Sequence, residues 1–79
     1  MDKVRVAIDT LISERGERNK NIWKASFSVK DVLEKAGMPN NPGNQRYVIY
    51  TVRQWYSGST VLPGQHDNGG ILEMRIRSI

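Results

Sequence analysis

The side chains best equipped for chemistry lie between residues 45 and 54. Arg46, Tyr50 and Arg53 stand at i, i+4 and i+7, the spacing of one helical face, with Gln45, Tyr47 and Gln54 beside them. They offer hydrogen bonds and positive charge, and none is acidic. Such a face suits base edges and phosphates: Arg can pair bidentately with guanine and Gln with adenine, each contact contributing on the order of 1–3 kcal/mol of discrimination. An ordinary solvated helix face usually includes Glu or Asp, so the missing acids set this one apart. Catalytic chemistry has no comparable support. His66 is the only histidine, in a turn-rich stretch beside Asp67. General-base catalysis needs a positioned partner and a pocket, and nucleophilic catalysis needs an activated Ser or Cys. Gly64, Gly69 and Gly70 precede an extended segment and do not open a helix, so they lack the context of a phosphate-cradling loop. No enzyme activity, cofactor or metal is expected.

Charge points the same way. Of 79 residues, 12 are Lys or Arg and 8 Asp or Glu, a formal net charge of +4. Residues 17–43 hold five basic and three acidic groups, residues 44–58 hold Arg46 and Arg53 with no acid, and each end of the chain balances to zero. The surplus therefore sits mid-chain, where it favours a polyanionic partner, although a charge of this size also serves plain solubility. One small domain, residues 1–79, is expected at this length. With no cysteine, neither a disulfide framework nor a thiolate metal site compensates for a small core. No apolar run approaches bilayer length, and Met1 to Arg5 lacks the apolar stretch of a signal peptide, so no membrane partner and a cytoplasmic location are expected.

The elements that would position residues 45–54 follow from periodicity. Val4, Ala7, Ile8, Leu11 and Ile12 mark one face of a first helix that Gly16 stops. Residues 17–21 are polar and aperiodic and read as a solvated loop. Trp23, Ala25 and Phe27 then alternate with Lys24, Ser26 and Ser28, the repeat of a half-buried strand. Ser28 ahead of Asp31 caps a second helix with an apolar stripe of Val29, Val32, Leu33 and Ala36, ending at Gly37. Asn41-Pro42 opens a third, over 42–56, whose buried face is expected to be Val48, Ile49, Val52, Trp55 and Tyr56. Two extended segments close the chain, Thr60 to Leu62 and a run from Ile71 in which Leu72, Met74 and Ile76 alternate with Glu73, Arg75 and Arg77. The turn residues 63–70 between them suit a long hairpin loop.

This α+β order, helix-strand-helix-helix-strand-strand, resembles the winged-helix family of DNA-binding domains across essentially the whole chain. The resemblance rests on element order and hydrophobic pattern, and the link Gly37 to Asn41 is longer and richer in proline than the plain helix-turn-helix turn. It implies a three-stranded antiparallel sheet in which the strand after the first helix pairs with the hairpin, a wing at the hairpin loop, and helix 42–56 in the major groove of double-stranded DNA, as in a small transcriptional regulator or accessory factor. The expected DNA-binding residues are Gln45, Arg46, Tyr47, Tyr50, Arg53 and Gln54, with Lys24 and Lys30, beside Lys20, able to reach phosphate. Arg75 and Arg77 suit either a backbone-contacting wing or charged protection of a sheet edge. Ser28 reads first as a helix cap and second as a phosphate ligand. The tip, Gln65 to Asn68, has no Lys or Arg for a narrow minor groove. A second reading fits the same Tyr and Arg side chains: a protein-interaction module gripping an acidic partner protein. So small a reading surface would gain specificity as a homodimer on a two-fold site or within a larger complex.

Overall fold

A computed structural model describes residues 2–64 and 68–77. The order is α1 (Lys3–Arg15), β1 (Glu17–Asn19), β2 (Ile22–Ser28), α2 (Val29–Ala36), α3 (Pro42–Trp55), β3 (Thr60–Leu62) and β4 (Ile71–Arg77). The chain is thus α+β, with three helices and a four-stranded antiparallel sheet of order β1-β2-β4-β3. β2 pairs along its whole length with β4, from Ile22 opposite Arg77 to Ser28 opposite Ile71, as expected of the strand after the first helix.

The fourth strand corrects the reading of residues 17–21 as a loop. Glu17, Arg18 and Asn19 fold back on β2 through Lys20 and Asn21, opposite Lys24, Trp23 and Ile22. All three are exposed, so the strand is held by backbone pairing and leaves no apolar alternation in the sequence. Lys20 adopts φ +56°, a left-handed geometry that reverses the chain. Arg18 Nε donates to the Lys20 carbonyl across that turn at 3.1 Å.

Helix α2 is closed by the residues expected to close it, and α1 starts at a cap that the sequence reading did not name. Asp2 accepts from the Val4 amide at 2.8 Å to start α1. Ser28 Oγ accepts from the Asp31 amide and the Asp31 carboxylate accepts from the Ser28 amide, both at 3.0 Å, a complete capping box for α2. Ser28 is itself buried, so its hydroxyl is committed to the cap. At the far end Gly37 takes φ 70°, which lets its amide and that of Met38 reach the last carbonyls of α2.

The core lies between the helices and the inner face of the sheet. Val4, Ile8, Leu11, Val29, Val32, Leu33, Val48 and Leu72 are fully buried, and Phe27, Met74 and Ala25 close the layer from the sheet. Two positions of α3 differ from expectation. Trp55, expected inside, is 56% exposed: although the next residue, Tyr56, is in the core, the Trp55 ring sits at the surface under the Arg5 guanidinium, 4.1 Å from the centroid. Thr51 takes a buried place, its hydroxyl satisfied by donating to the Tyr47 carbonyl at 2.8 Å. Tyr56 is buried as expected; its hydroxyl donates to Asp9 at 2.7 Å, and burial, reinforced by that bond, pushes its pKa well up.

Candidate nucleic-acid interface

α3 is set by its first turn. The Asn41 side chain accepts from the Asn44 amide at 2.8 Å, Pro42 supplies a pre-set first residue, and Asn44 Nδ2 donates back to the Pro39 carbonyl at 2.8 Å, tying the long link to the helix it precedes. Val48, Thr51 and Val52 then anchor one side in the core. The opposite side presents Arg46, Tyr50, Arg53 and Gln54, all exposed, with Tyr50 61% accessible. Among the described residues neither arginine carries an ion pair or a side-chain hydrogen bond. No carboxylate lies anywhere on α3.

The structure separates two further residues from this face. Tyr47 turns towards α1, where its hydroxyl donates to the Asp2 carboxylate at 2.5 Å. That bond holds Asp2 below the usual carboxylate range and raises the pKa of Tyr47. Gln45 turns to the other flank: its Nε2 donates to Asn40 Oδ1 at 2.6 Å, and its side chain lies so close to Gly69 that a Cβ there would come within 3.0 Å of it. Both ends of the outer face are therefore fixed by their neighbours, Tyr47 against α1 and Gln45 against the hairpin loop.

The hairpin loop is docked as well. The Val29 amide donates to the Gly70 carbonyl at 2.9 Å and the Lys30 amide to the Asn68 carbonyl at 3.0 Å, so two of the free N–H groups that start α2 are satisfied by the loop. Gly70 takes φ 135°, and a Cβ on Gly64 would lie 2.5 Å from the Gly70 nitrogen, so the neck of the loop needs glycine at both places. This brings the exposed Lys30, the loop at Asn68 and Gly69, and the first turn of α3 together. Gln65, His66 and Asp67 lie outside the described residues.

Lys24, Arg75 and Arg77 go elsewhere. Trp23, Ala25 and Phe27 on β2 and Leu72, Met74 and Ile76 on β4 point to the helices, so Lys24, Arg75 and Arg77 occupy the outer face of the sheet. The sequence-level list thus divides between a helix face and a sheet face. Pairing with β3 ends at Glu73, and beyond it Ser59 Oγ accepts from the Arg75 amide at 3.0 Å, leaving β4 open on that edge around Arg77. Sequence reasoning missed the Arg5–Trp55 stack, whose only signal was an arginine and a tryptophan on separate helices. Among the described residues no group of His, Cys, Asp and Glu could hold a metal, and no helix is long and apolar enough to cross a membrane.

Comparison with known protein families, with curated proteins and with solved structures finds no match for this chain.

Proposed function

We propose that the chain is a winged helix-turn-helix protein that binds double-stranded DNA through α3, as a small transcriptional regulator or accessory factor. One observation carries the reading: the outer face of α3 presents Arg46, Tyr50 and Arg53, unpaired among the described residues, on a helix with no acid. The element order supports it, since α1, β2, α2, α3, β3 and β4 follow the winged-helix sequence and β2 pairs with the hairpin; β1 is then an addition at the sheet edge. A helix of 14 residues, roughly 21 Å long, is of a size that a major groove about 12 Å wide admits. In this arrangement Arg46 and Arg53 reach guanine edges or phosphate, Tyr50 and Gln54 add neutral hydrogen bonds, and Lys30 meets the backbone beside the docked hairpin loop. Gln45 and Tyr47 act as positioning residues at the two flanks. Two copies on a two-fold site would double the reading surface.

The test is fluorescence anisotropy with a mixed-sequence duplex at low and near-physiological salt, comparing the chain with Arg46→Ala/Arg53→Ala. Binding that falls steeply with salt, and a double variant whose log-log salt slope is smaller by roughly two units, are expected. Absence of binding at low salt, or an unchanged double variant, would sink the reading.

A second reading has its own observation. Tyr50 and Trp55 are more than half exposed, and Arg5 covers Trp55, the aromatic and arginine composition of protein contact sites. An acidic partner protein gripped by α3 becomes the leading function if the duplex does not bind.

A further inference from the structure

The outer face of the sheet carries cations that the α3 reading does not use. Lys24 on β2 and Arg75 on β4 are in-register partners on neighbouring strands. Their side chains leave the same face from Cβ atoms about 5 Å apart. Arg77 follows on that face opposite Ile22, and Lys20, in the β1–β2 turn, borders a hollow shared with Ile22 and Arg77. The four form a stripe from mid-sheet to the end remote from the hairpin loop.

The stripe is not explained by the fold. Like charges directly opposite in a ladder repel. Glu17 on β1 stands directly opposite Lys24 and offsets part of that repulsion, and Glu73 shares the face, yet among the described residues no carboxylate lies within ion-pair distance of Lys20, Lys24, Arg75 or Arg77. Beside Lys24 and Arg75 the surface dips into an open depression of about 500 Å3 that Arg15, Ser26 and Thr60 also border, with Glu17 and Glu73 on its lining, so three cations there face two acids. The stripe lacks the anchors of a protein contact. Of the exposed large apolar side chains, Val6, Tyr47, Tyr50 and Trp55 are on helices, and Leu62 is at the opposite end of the sheet, paired with Ile71. Long flexible cations without aromatic neighbours neutralise a phosphate backbone and do not read bases.

α1 and α2 pack on the inner side of the sheet and α3 packs on them, whereas the stripe leaves the outer side. We infer that the stripe is a second DNA-backbone site, so that one copy of the chain holds two duplex segments at once, one on α3 and one on the sheet. The inference rests on the α3 reading for the first duplex only.

Sedimentation velocity with limiting protein and excess labelled duplex of about 25 base pairs, roughly two and a half helical turns, tests it at low salt. The unmodified chain is expected to carry two duplexes per copy. Lys24→Thr/Arg75→Thr/Arg77→Thr should carry one, with second-duplex affinity at least roughly tenfold weaker, while the salt slope of the first duplex is unchanged. Arg75→Lys/Arg77→Lys should keep both, because phosphate needs the charge and not the guanidinium fork. A single duplex on the unmodified chain, or two duplexes on the triple variant, overturns the inference. So does loss of the second duplex in the lysine variant, or capture of polyglutamate by the stripe in place of DNA. The α3 reading fails separately, when Arg46→Ala/Arg53→Ala sediments and titrates like the unmodified chain.

Discussion

The outer face of α3 and the outer face of the sheet carry the same kind of charge in different company. On α3 the arginines alternate with Tyr50 and Gln54, on a helix without acids, and the flanks are fixed by Tyr47 on Asp2 and Gln45 on Asn40. On the sheet, Lys24, Arg75 and Arg77 stand on rigid strands with Glu17 and Glu73 nearby and no exposed aromatic among them. A helix face with mixed donors can report which base it meets. Cations alone can report only that a polyanion is present. On the proposed reading, residue type alone is a poor guide to role: neighbours and element decide whether an arginine discriminates or merely attracts.

The two faces share one core, and the largest expected effect is to lose both together. Leu33 on α2 is fully buried where α2 meets α1, α3 and β2. Leu33→Ala should cost about 2–5 kcal/mol, since the cavity it leaves adds to the lost burial. Urea denaturation should show a lower midpoint, with the binding proposed for the two faces falling in parallel. Retention of one face after the other is lost would mean that the sheet and α3 are held independently.

A smaller effect comes from the joint between the faces. Ser28 ends β2 and caps α2, so it links sheet to helices in one residue. Ser28→Ala should cost about 1 kcal/mol, read by the same denaturation curve. The joint is also sensitive to acid. Burial raises the pKa of Asp31, but hydrogen bonds from Ser28 and from Arg15, at 3.1 Å, outweigh it and hold the carboxyl below its ordinary range. Its folded pKa is depressed, so its contribution is full above the unfolded value near about 3.9 and is lost as pH falls through the folded one. Asp2, lowered by its Tyr47 bond, acts in the same direction. Asp31→Asn should therefore be less stable than the unmodified chain at neutral pH, and the difference should shrink as pH falls through the depressed folded pKa of Asp31, as followed by thermal melts across pH.

Much of the helix face was legible in the sequence because it lies in one segment with one period. The apolar stripes of α1 and α2, most of that of α3, the Ser28 cap and the Gly37 stop follow from local chemistry, and the structure has them at those residues, with Thr51 buried and Trp55 exposed as the exceptions. The sheet face was not legible as a unit, since Lys24 and Arg75 become neighbours only through the register of two strands far apart in the chain. β1 escaped because an edge strand exposed on all sides is held by backbone bonds that impose no side-chain pattern. Trp55 was misread because its ring lies under Arg5 at the surface while its neighbours Val52 and Tyr56 are buried, a side-chain choice that periodicity cannot show. Tyr47 and Gln45 sit on the expected helix, but what turns them aside is Asp2 at one flank and the hairpin loop at the other.

The smallest expected effect sharpens the contrast most. Where Lys24 and Arg75 face each other across the ladder, a neutral β-branched residue should suit the strand better, because it removes the repulsion and adds β propensity. Arg75→Thr should raise stability by roughly 0.2–1 kcal/mol. Arg53→Ala on α3, where no like charge stands opposite, should leave stability within about 0.5 kcal/mol of the starting value. Thermal melts of the two single variants at low salt, where screening is weakest, make the comparison. A stabilised Arg75 variant would show that this side chain is held against the interest of the fold, which favours a binding role. An Arg75 variant as stable as the unmodified chain, or less so, would mean that the arginine contributes to the sheet itself, and the face would then be read as structural surface.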